Sequence, residues 1–363
     1  MIIVSPIQFT RKDILELVPY EASKETSKIR LNSNESPYDV PLHIKEKIWN
    51  RLKDENFNYY YDPSCDELRE NLSQYTGVKA DQIFVGSGAD EIINDIIMAF
   101  AGPERDVIIP VPTFSSYEIF ATVAGSNVKK VPIICSKDQE KCFWDLDVLS
   151  IKKHFTKDKP QLMFLCYPNN PTGDYFDENK ILEIINSFNG IVAIDEAYYE
   201  FGGKTFTNRL SDYPNVVVIR TFSKIFSLAG LRVGYAIGHE DAIKQLYKVK
   251  LPYNVSLFSQ IAAVEILKEW DWLKNTKNVL IKAREQLKEG LQNIDGVRVY
   301  PSSTNFFLCE FEKPRDLVYD ELSKRGILTR RLNDDMLKDS LRFNIGTPEQ
   351  NAFLLSCLEE IMS

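Results

Sequence analysis

The segment around Lys224 combines residue types that can hold an anion and react with a carbonyl group. Thr221 and Ser223 precede the lysine, and Arg232 follows it eight residues later. Hydroxyls and a guanidinium so close together in sequence indicate an anion-binding site, because both donate strong hydrogen bonds to oxyanions. The lysine amine adds the capacity to form a covalent bond with an aldehyde.

A second anion-binding feature begins at Gly86, where the sequence reads GSGADE after a short apolar run. Two glycines allow a tight turn, and the start of the following helix offers unpaired N–H groups and the positive end of the helix dipole. The third glycine of the dinucleotide fingerprint G-x-G-x-x-G is missing, so the turn does not indicate a nicotinamide dehydrogenase.

Two more apolar runs end in polar side chains. The run 161–166 is followed by YPNNPTG, which contains Asn170, and the run 191–194 is followed by Asp195, with Tyr198 three residues further on. A carboxylate directly after a buried strand must be paired or functional, because an isolated buried charge is very unfavourable.

Taken together, these groups match the needs of pyridoxal 5′-phosphate (PLP). Its phosphate requires N–H donors, hydroxyls and a cation, and its pyridine nitrogen requires a carboxylate that keeps it protonated. Its phenolate oxygen requires neutral donors such as an amide and a phenol, and its aldehyde requires a lysine. We therefore predict a PLP enzyme in which Lys224 binds the cofactor covalently.

The elements that must position these groups follow the pattern of an α/β fold. Short apolar runs rich in β-branched residues alternate with amphipathic stretches, as expected of a mostly parallel sheet covered by helices on both faces. The predicted strands are 82–85, 107–111, 161–166, 191–194, 216–219 and 232–237, and the predicted helices between them include 90–100 and 178–188. Ligands of such sheets bind at the carboxyl ends of the strands, where all the candidate groups lie.

The pattern of predicted helices and strands changes after about residue 250. A long amphipathic helix is predicted over 270–294, followed by strands over 297–300, 305–310 and 341–345, which together indicate a smaller α+β domain. A short helix near 11–17 is predicted in an otherwise irregular beginning. The predicted organisation is an arm (1–30), a large PLP-binding domain (31–250) and a small domain (251–363).

Composition narrows the classes of function. The formal charge is −8, from 44 basic and 52 acidic residues, and there is no basic block, which argues against nucleic-acid binding. The six cysteines form no C-x-x-C pair, so neither a zinc site nor a disulfide framework is expected. No signal peptide or membrane-spanning run is evident, and we expect a soluble cytoplasmic protein.

The motifs NNPTG, DEAYYEF and TFSKIFSLAGLRVGY, in this order, resemble those of the fold-type-I PLP aminotransferases. Within this superfamily the chain is most similar to the histidinol-phosphate aminotransferases, through LNSNESPY, YYYDP, GSGADE and LRFNIGT. The resemblance implies an aspartate-aminotransferase-like fold and transamination between histidinol phosphate and 2-oxoglutarate or glutamate, in histidine biosynthesis. It also implies a homodimer with shared active sites.

The resemblance assigns roles around the cofactor. Lys224 would form the Schiff base and move the proton, Asp195 would pair with the pyridinium nitrogen, and Asn170 and Tyr198 would bond the ring's O3′. The phosphate would be held by the backbone N–H groups of Ala89 and Asp90 and by Thr221, Ser223 and Arg232.

Further roles concern stacking, the partner subunit and the substrate. Phe114 would stack on the ring, although the family often has tyrosine there. Tyr60 would reach the phosphate of the partner subunit's cofactor; because the family often has proline where Tyr61 stands, either tyrosine could make this contact. Arg342 would bind the carboxylate of glutamate, and the substrate phosphate would be held by Arg330, Tyr20 and Asn34.

Two other enzymes of the same fold stay open as alternatives, an aromatic amino-acid aminotransferase and a threonine-phosphate decarboxylase. Both would share Lys224, Asp195 and the phosphate site. A PLP-binding transcription regulator would need an added basic DNA-binding module, which is not expected from a sequence with a net negative charge.

Overall fold

The computed structural model describes residues 5–18, 29–137 and 142–363. Its strands, in chain order, are β1 (Ile29–Arg30), β2 (Ile83–Gly86), β3 (Asp106–Val111), β4 (Asn127–Pro132), β5 (Ile134–Lys137), β6 (Cys142–Asp145), β7 (Gln161–Cys166), β8 (Gly190–Asp195), β9 (Val216–Thr221), β10 (Gly234–Gly238), β11 (Val297–Val299), β12 (Phe306–Phe311), β13 (Ile327–Leu328), β14 (Arg330–Arg331) and β15 (Ser340–Asn344). Its α-helices are α1 (Lys12–Leu15), α2 (Leu42–Leu52), α3 (Asp66–Thr76), α4 (Gly88–Phe100), α5 (Ser116–Val123), α6 (Val148–Lys152), α7 (Glu178–Ser187), α8 (Tyr199–Gly202), α9 (Glu240–Val249), α10 (Leu257–Leu267), α11 (Trp270–Gln292), α12 (Arg315–Lys324) and α13 (Pro348–Met362).

A seven-stranded sheet forms the centre of the described part of the chain, in the order β2-β10-β9-β8-β7-β3-β4. Its strands are parallel except β10, which runs antiparallel to both of its neighbours. The prediction of a mostly parallel sheet is thus confirmed.

The buried residues of β7 explain why the strands read as continuous apolar runs. Met163 and Leu165 belong to one hydrophobic cluster, whereas Leu162 and Phe164 belong to the other, and all four are almost completely buried. Helices α2, α3, α7 and α10 cover the first face, and α4, α5 and α9 cover the second. A strand that is covered on both faces carries apolar side chains on both, so its sequence does not alternate between apolar and polar residues.

A second, antiparallel sheet is built from the C-terminal part of the chain, in the order β11-β12-β15-β14. Helices α11, α12 and α13 pack against it in a third hydrophobic cluster. Leu31 lies in this cluster, and β1 pairs in parallel with β13, so the chain around residue 30 packs with the C-terminal elements. The domain boundaries near residues 30 and 250 stay predictions.

Two element boundaries near the expected site differ from the predicted ones. Helix α4 begins at Gly88 rather than at Asp90, so the second glycine of the turn is already the first helical residue. Strand β10 begins at Gly234 rather than at Arg232, because Arg232 has a left-handed backbone (φ 51°) that turns the chain before the strand starts.

Within the described ranges, no helix combines the length and the apolar character needed to cross a bilayer.

Candidate active site

The carboxyl ends of β7, β8 and β9 lie side by side in the sheet and bring the predicted residues together. Asp195 ends the middle strand, Asn170 follows β7 on one side, and Lys224 follows β9 on the other. This edge is where open α/β sheets bind their ligands.

Lys224 is held in a setting that disfavours its charged form. Its Nζ donates one long hydrogen bond, 3.4 Å, to the carbonyl of Ser33, and it lies 5.7 Å from the ring centre of Tyr198. Burial, followed by the positive charge of Arg342, lowers the pKa of Lys224 to about 8. A lysine with this pKa is partly neutral near physiological pH and can act as a nucleophile and a base.

Asp195 is only 3% exposed and accepts two hydrogen bonds. The hydroxyl of Tyr117 donates to Oδ2 at 2.6 Å, and the backbone N–H of Ala197 donates to Oδ1 at 3.0 Å. Burial raises the pKa of Asp195 to about 6, although both hydrogen bonds oppose the rise. Sequence reasoning missed Tyr117; the available signal was a phenol in an apolar helical stretch, which needs a partner once it is buried.

The two asparagines of NNPTG have different functions. Asn169 is fully buried, and its amide joins the carbonyl of Pro112 and the hydroxyls of Thr113 and Thr172, which fixes the loop. Asn170 accepts a 2.6 Å hydrogen bond from Arg342 through Oδ1, and its Nδ2 donates to no other described residue. Asn170 therefore has an amide donor left for a ligand.

The hydroxyl of Tyr198 accepts a hydrogen bond from Nδ2 of Asn34 at 2.9 Å. Its ring packs edge-to-face on Phe306, with ring centres 5.2 Å apart. Asn34 is 1% exposed, and its side chain contacts the hydroxyl of Tyr198, which is one of the two predicted donors to the ring oxygen O3′. A role in holding the substrate phosphate stays a prediction.

Hydroxyls and a guanidinium gather at the end of β9 as predicted. The hydroxyl of Thr221 donates to that of Ser223 at 3.0 Å, and Arg232 reaches Ser223 at 3.4 Å through Nη1. Arg232 also forms an ion pair with Asp90 at 2.8 Å, which ties this group to the first turn of α4. We call Thr221, Ser223, Arg232 and the start of α4 the anion cup.

Two glycines make the anion cup possible. A Cβ at Gly88, whose φ is +80°, would lie 2.5 Å from Nη2 of Arg232, and a Cβ at Gly234 would lie 2.7 Å from the backbone nitrogen of Ala89. A Cβ at Gly234 would collide with the backbone of the helix start, and a Cβ at Gly88 would push the Arg232 guanidinium aside, so the present arrangement of the cup depends on both glycines.

Arg342 and Arg330 face each other across the antiparallel pair β14–β15. Directly opposite residues of such a pair point to the same face of the sheet. Arg342 is largely buried, and its guanidinium donates to Asn170 and, at 2.8 Å, to the carbonyl of Asn32. Guanidiniums bind anionic ligands through paired N–H donors, so both arginines are candidates to contact an anion on this face.

One short segment, residues 31–34, crosses the site and is called the strap here. Its four carbonyls accept hydrogen bonds from four separate groups, namely the N–H of Asn344, the guanidinium of Arg342, the amine of Lys224 and the amide of Asn305. The strap thus links Lys224 to the end of the C-terminal sheet. Motif reasoning did not reveal this role, because the contacts use backbone atoms.

The remaining predicted residues are less closely connected to this centre. Phe114 follows β3 and packs edge-to-face on Tyr117, with ring centres 5.6 Å apart. Tyr60 is 82% exposed and stacks on Tyr253 at 4.4 Å, and within the described chain it forms no hydrogen bond with the anion cup. Tyr20 lies outside the described residues.

Comparison with known proteins agrees with this geometry. The sequence profile of the family described as aminotransferase class I and II matches residues 26–358. The histidinol-phosphate aminotransferase of Caldanaerobacter subterraneus subsp. tengcongensis is 39% identical over 354 residues, which cover 97% of this chain and 98% of that protein.

Solved structures with the same fold include two histidinol-phosphate aminotransferases. The protein from Sinorhizobium meliloti, in complex with pyridoxal-5′-phosphate, has a TM-score of 0.84 at 21% identity and matches 97% of both chains. The protein from Clostridium acetobutylicum has a TM-score of 0.80 at 26% identity, covering 92% of this chain and 99% of that one. With the profile matched over most of its length, the chain belongs to the family of class I and II aminotransferases.

Proposed function

We propose that the protein is a PLP-dependent aminotransferase that exchanges an amino group between histidinol phosphate and 2-oxoglutarate, as a step of histidine biosynthesis. The family membership supports the reaction type, and the names of the relatives support the substrate. The observation that carries the substrate assignment is the cross-strand pair of Arg330 and Arg342, because the charge of Arg342 acts on the lysine that would do the chemistry.

The residues at the sheet edge fit PLP in number and chemistry. Lys224 offers an amine with a lowered pKa, and Asp195 offers a buried carboxylate. The anion cup offers two hydroxyls, a guanidinium and the N–H groups of Ala89 and Asp90. A Cβ at Gly88 would project towards the guanidinium of this cup. These are the partners required by an aldehyde, a pyridine nitrogen and a phosphate, respectively.

When bound, PLP supplies an electron-accepting ring that takes up the charge left when a donor carbon loses a proton. Lys224 would hold the cofactor through Nζ, and its neutral amine would be placed to take the proton from the donor's Cα. Asp195 would keep the ring nitrogen protonated, Asn170 and Tyr198 would donate to the ring oxygen, and Phe114 would stack on the ring.

Two different anions must be accepted during one catalytic cycle. Histidinol phosphate carries a phosphate and no carboxylate, whereas glutamate carries carboxylates only. A guanidinium binds both kinds of anion through paired N–H donors, so Arg342 and Arg330 can serve both substrates without rearranging the sheet. Arg342 is the more deeply buried of the two and is already oriented by Asn170.

We further propose that the enzyme works in the cytoplasm as a homodimer with shared active sites. Phe57, Tyr59 and Tyr60 lie within four residues of sequence and are strongly exposed, with exposed fractions of 76%, 72% and 82%, respectively. Aromatic side chains are enriched at protein interfaces. Tyr60 is the candidate to reach the partner's anion cup, and Tyr61 is the alternative.

The substrate assignment is tested by offering the purified holoenzyme three amines separately. We expect 2-oxoglutarate-dependent consumption of histidinol phosphate with a kcat/KM at least tenfold above that for tyrosine. Release of carbon dioxide from threonine phosphate, or a preference for tyrosine, would replace this assignment with one of the two alternatives.

The role of Arg330 is tested with Arg330→Gln. In this variant the KM for histidinol phosphate should rise by a larger factor than the factor by which kcat changes.

A further inference from the structure

Asn34 makes contacts that a residue would not need if its only role were to bind the substrate. It is 1% exposed, has a left-handed backbone (φ 54°) and donates from Nδ2 to the hydroxyl of Tyr198 at 2.9 Å. Its Oδ1 has no partner among the described residues. The amide group is therefore buried against the phenol, to which one of its two N–H donors is committed.

The position of Asn34 is fixed from both sides by the C-terminal sheet. Its backbone N–H donates to Oδ1 of Asn344 at 3.2 Å, and its carbonyl accepts from Nδ2 of Asn305 at 3.1 Å. Asn344 ends β15, and Asn305 directly precedes β12, which is paired with β15. Because asparagine tolerates the left-handed region better than most residues, the backbone can keep this geometry with an amide side chain in place.

This contact determines which way the hydroxyl of Tyr198 can donate. A phenol has one proton and can also accept hydrogen bonds. Nδ2 of Asn34 occupies an acceptor position of the oxygen, and no described residue accepts the proton of Tyr198. The proton is thus left for a ligand in the site.

We propose that Asn34 is a positioning residue for Tyr198, whose hydroxyl it orients so that the phenol proton points to the ring oxygen of PLP. The inference rests on the role of Tyr198 in the proposed function. It replaces direct binding of the substrate phosphate as the main function of Asn34. An exposed amide would suit that task better than a buried one.

The test is a double-mutant cycle on the apoenzyme, with Asn34→Gly, Tyr198→Phe and the double variant. Glycine keeps the left-handed backbone and both backbone hydrogen bonds while removing the amide. The readouts are the Kd for PLP and the relative intensity of the absorption bands of the bound cofactor at a fixed pH. These bands report whether its ring oxygen is protonated, and neither readout requires an amino donor.

We expect Asn34→Gly to weaken PLP binding by about fivefold, the effect of roughly one hydrogen bond, and to favour the protonated ring oxygen. In the Tyr198→Phe background the same change should have no further effect, because the group through which Asn34 acts is gone. Additive effects, or unchanged bands with a raised KM for histidinol phosphate, would overturn the inference.

A second variant covers the case in which Asn34→Gly does not fold. Asn34→Asp keeps the shape and the backbone preference but turns a donor into an acceptor, which would draw the phenol proton away from the cofactor. Asn32→Asp, two residues earlier in the strap, measures the effect of the added charge alone, because its side chain forms no hydrogen bond with a described residue. Equal band changes in the two Asp variants would contradict the proposal.

The design separates this inference from the proposed function. If Tyr198→Phe alone leaves the bands and the Kd unchanged, the assigned role of Tyr198 is wrong, and the inference fails with it. If Tyr198→Phe changes both readouts but Asn34→Gly and Asn34→Asp change neither, only the role of Asn34 is wrong.

Discussion

Asp195 and Glu196 are adjacent carboxylates that the fold assigns to different functions. Asp195 faces the site and accepts from Tyr117, whereas Glu196 points the other way and pairs with Arg220 at 2.9 Å. Successive residues at a strand end point to opposite faces, so one of them can serve a ligand while the other is neutralised within the protein. The sequence predicts that a carboxylate directly after a buried strand is paired or functional. Glu196 is paired, and the functional role of Asp195 stays a prediction.

The lowered pKa of Lys224 leads to a pH-dependent uptake of PLP by the apoenzyme. Only the neutral amine reacts with an aldehyde, so the rate should rise about tenfold from pH 7 to pH 9 for a pKa of about 8, whereas an ordinary lysine with a pKa of 10.5 would give about a hundredfold. The rate is measured by borohydride trapping and mass spectrometry.

A small-molecule lysine analogue, measured in parallel, corrects for the titration of PLP itself. Lys224→Ala should trap no cofactor and should lose all turnover. A hundredfold rise for the wild type would mean that the site does not lower the pKa of this lysine.

Removing the phenol with Tyr117→Phe should impair Asp195 without removing it. The intact 2.6 Å hydrogen bond from Tyr117 lowers the pKa of the Asp195 carboxyl, so this pKa should rise in the variant. The ionised form should then be lost at a higher pH as the solution is acidified. We expect kcat to fall about tenfold to a hundredfold, as for a charge-assisted hydrogen bond, and the acidic limb of the pH–rate profile to move upward.

Tyr167→Phe is the matched control for Tyr117→Phe. Tyr167 is also buried, but its hydroxyl has no partner among the described residues. The control should keep the wild-type pH profile, and an unmoved acidic limb in Tyr117→Phe would show that this phenol does not support Asp195.

At the scale of elements, the start of α4 can be tested with two glycines that have nearly the same φ angle. Gly88 has φ +80° and Gly77 has φ +76°, but a Cβ at Gly77 meets nothing within 4 Å. Both Gly→Ala variants should lose roughly 1–2 kcal/mol of unfolding free energy from the left-handed strain. Only Gly88→Ala should also weaken PLP binding, by at least about tenfold, because its methyl group would displace Arg232.

Thermal unfolding of the apoenzymes and a PLP titration measure the two effects separately. If both variants bind PLP equally well, the close approach of Arg232 to the helix start is not needed for the anion cup.

Prediction from sequence was accurate where apolar runs were long and covered on both faces. The predicted strand 161–166 coincides with β7, whereas β4 was missed because Lys129 and Lys130 interrupt its apolar pattern at the edge of the sheet. The direction of β10 was also missed, since periodicity carries no information about whether a strand runs parallel or antiparallel.

In the site, prediction identified residues within motifs but not contacts between distant segments. Asn169 and Asn170 look equivalent in sequence, and only the structure shows that one fixes the loop while the other faces Arg342. Tyr117 and Asp195 are 78 residues apart, and their contact depends on how α5 packs against the sheet.

At the scale of the whole molecule, the shared active site can be tested by mixing two inactive variants. Tyr60→Ala should weaken the anion cup of the partner subunit, and Lys224→Ala should inactivate its own subunit. In a mixed dimer one site carries both changes and the other carries neither, so activity should return after the subunits are exchanged by mild denaturation and renaturation.

About half of the dimers should be mixed if subunits pair at random, and each should have one intact site. This gives about a quarter of the wild-type activity from two nearly inactive preparations. No gain on mixing would indicate that Tyr60 does not act across subunits, and Tyr61→Ala in the same experiment tests the alternative.

The strap also has a consequence for the order in which the enzyme matures. The N–H and side chain of Asn344, which hold the strap, are made 310 residues after Asn34. Lys224 and the anion cup are translated well before this last contact is available. A nascent chain therefore cannot complete the cofactor pocket until β15 has emerged, and premature termination upstream of Arg342 would release a protein with an exposed lysine and an incomplete site.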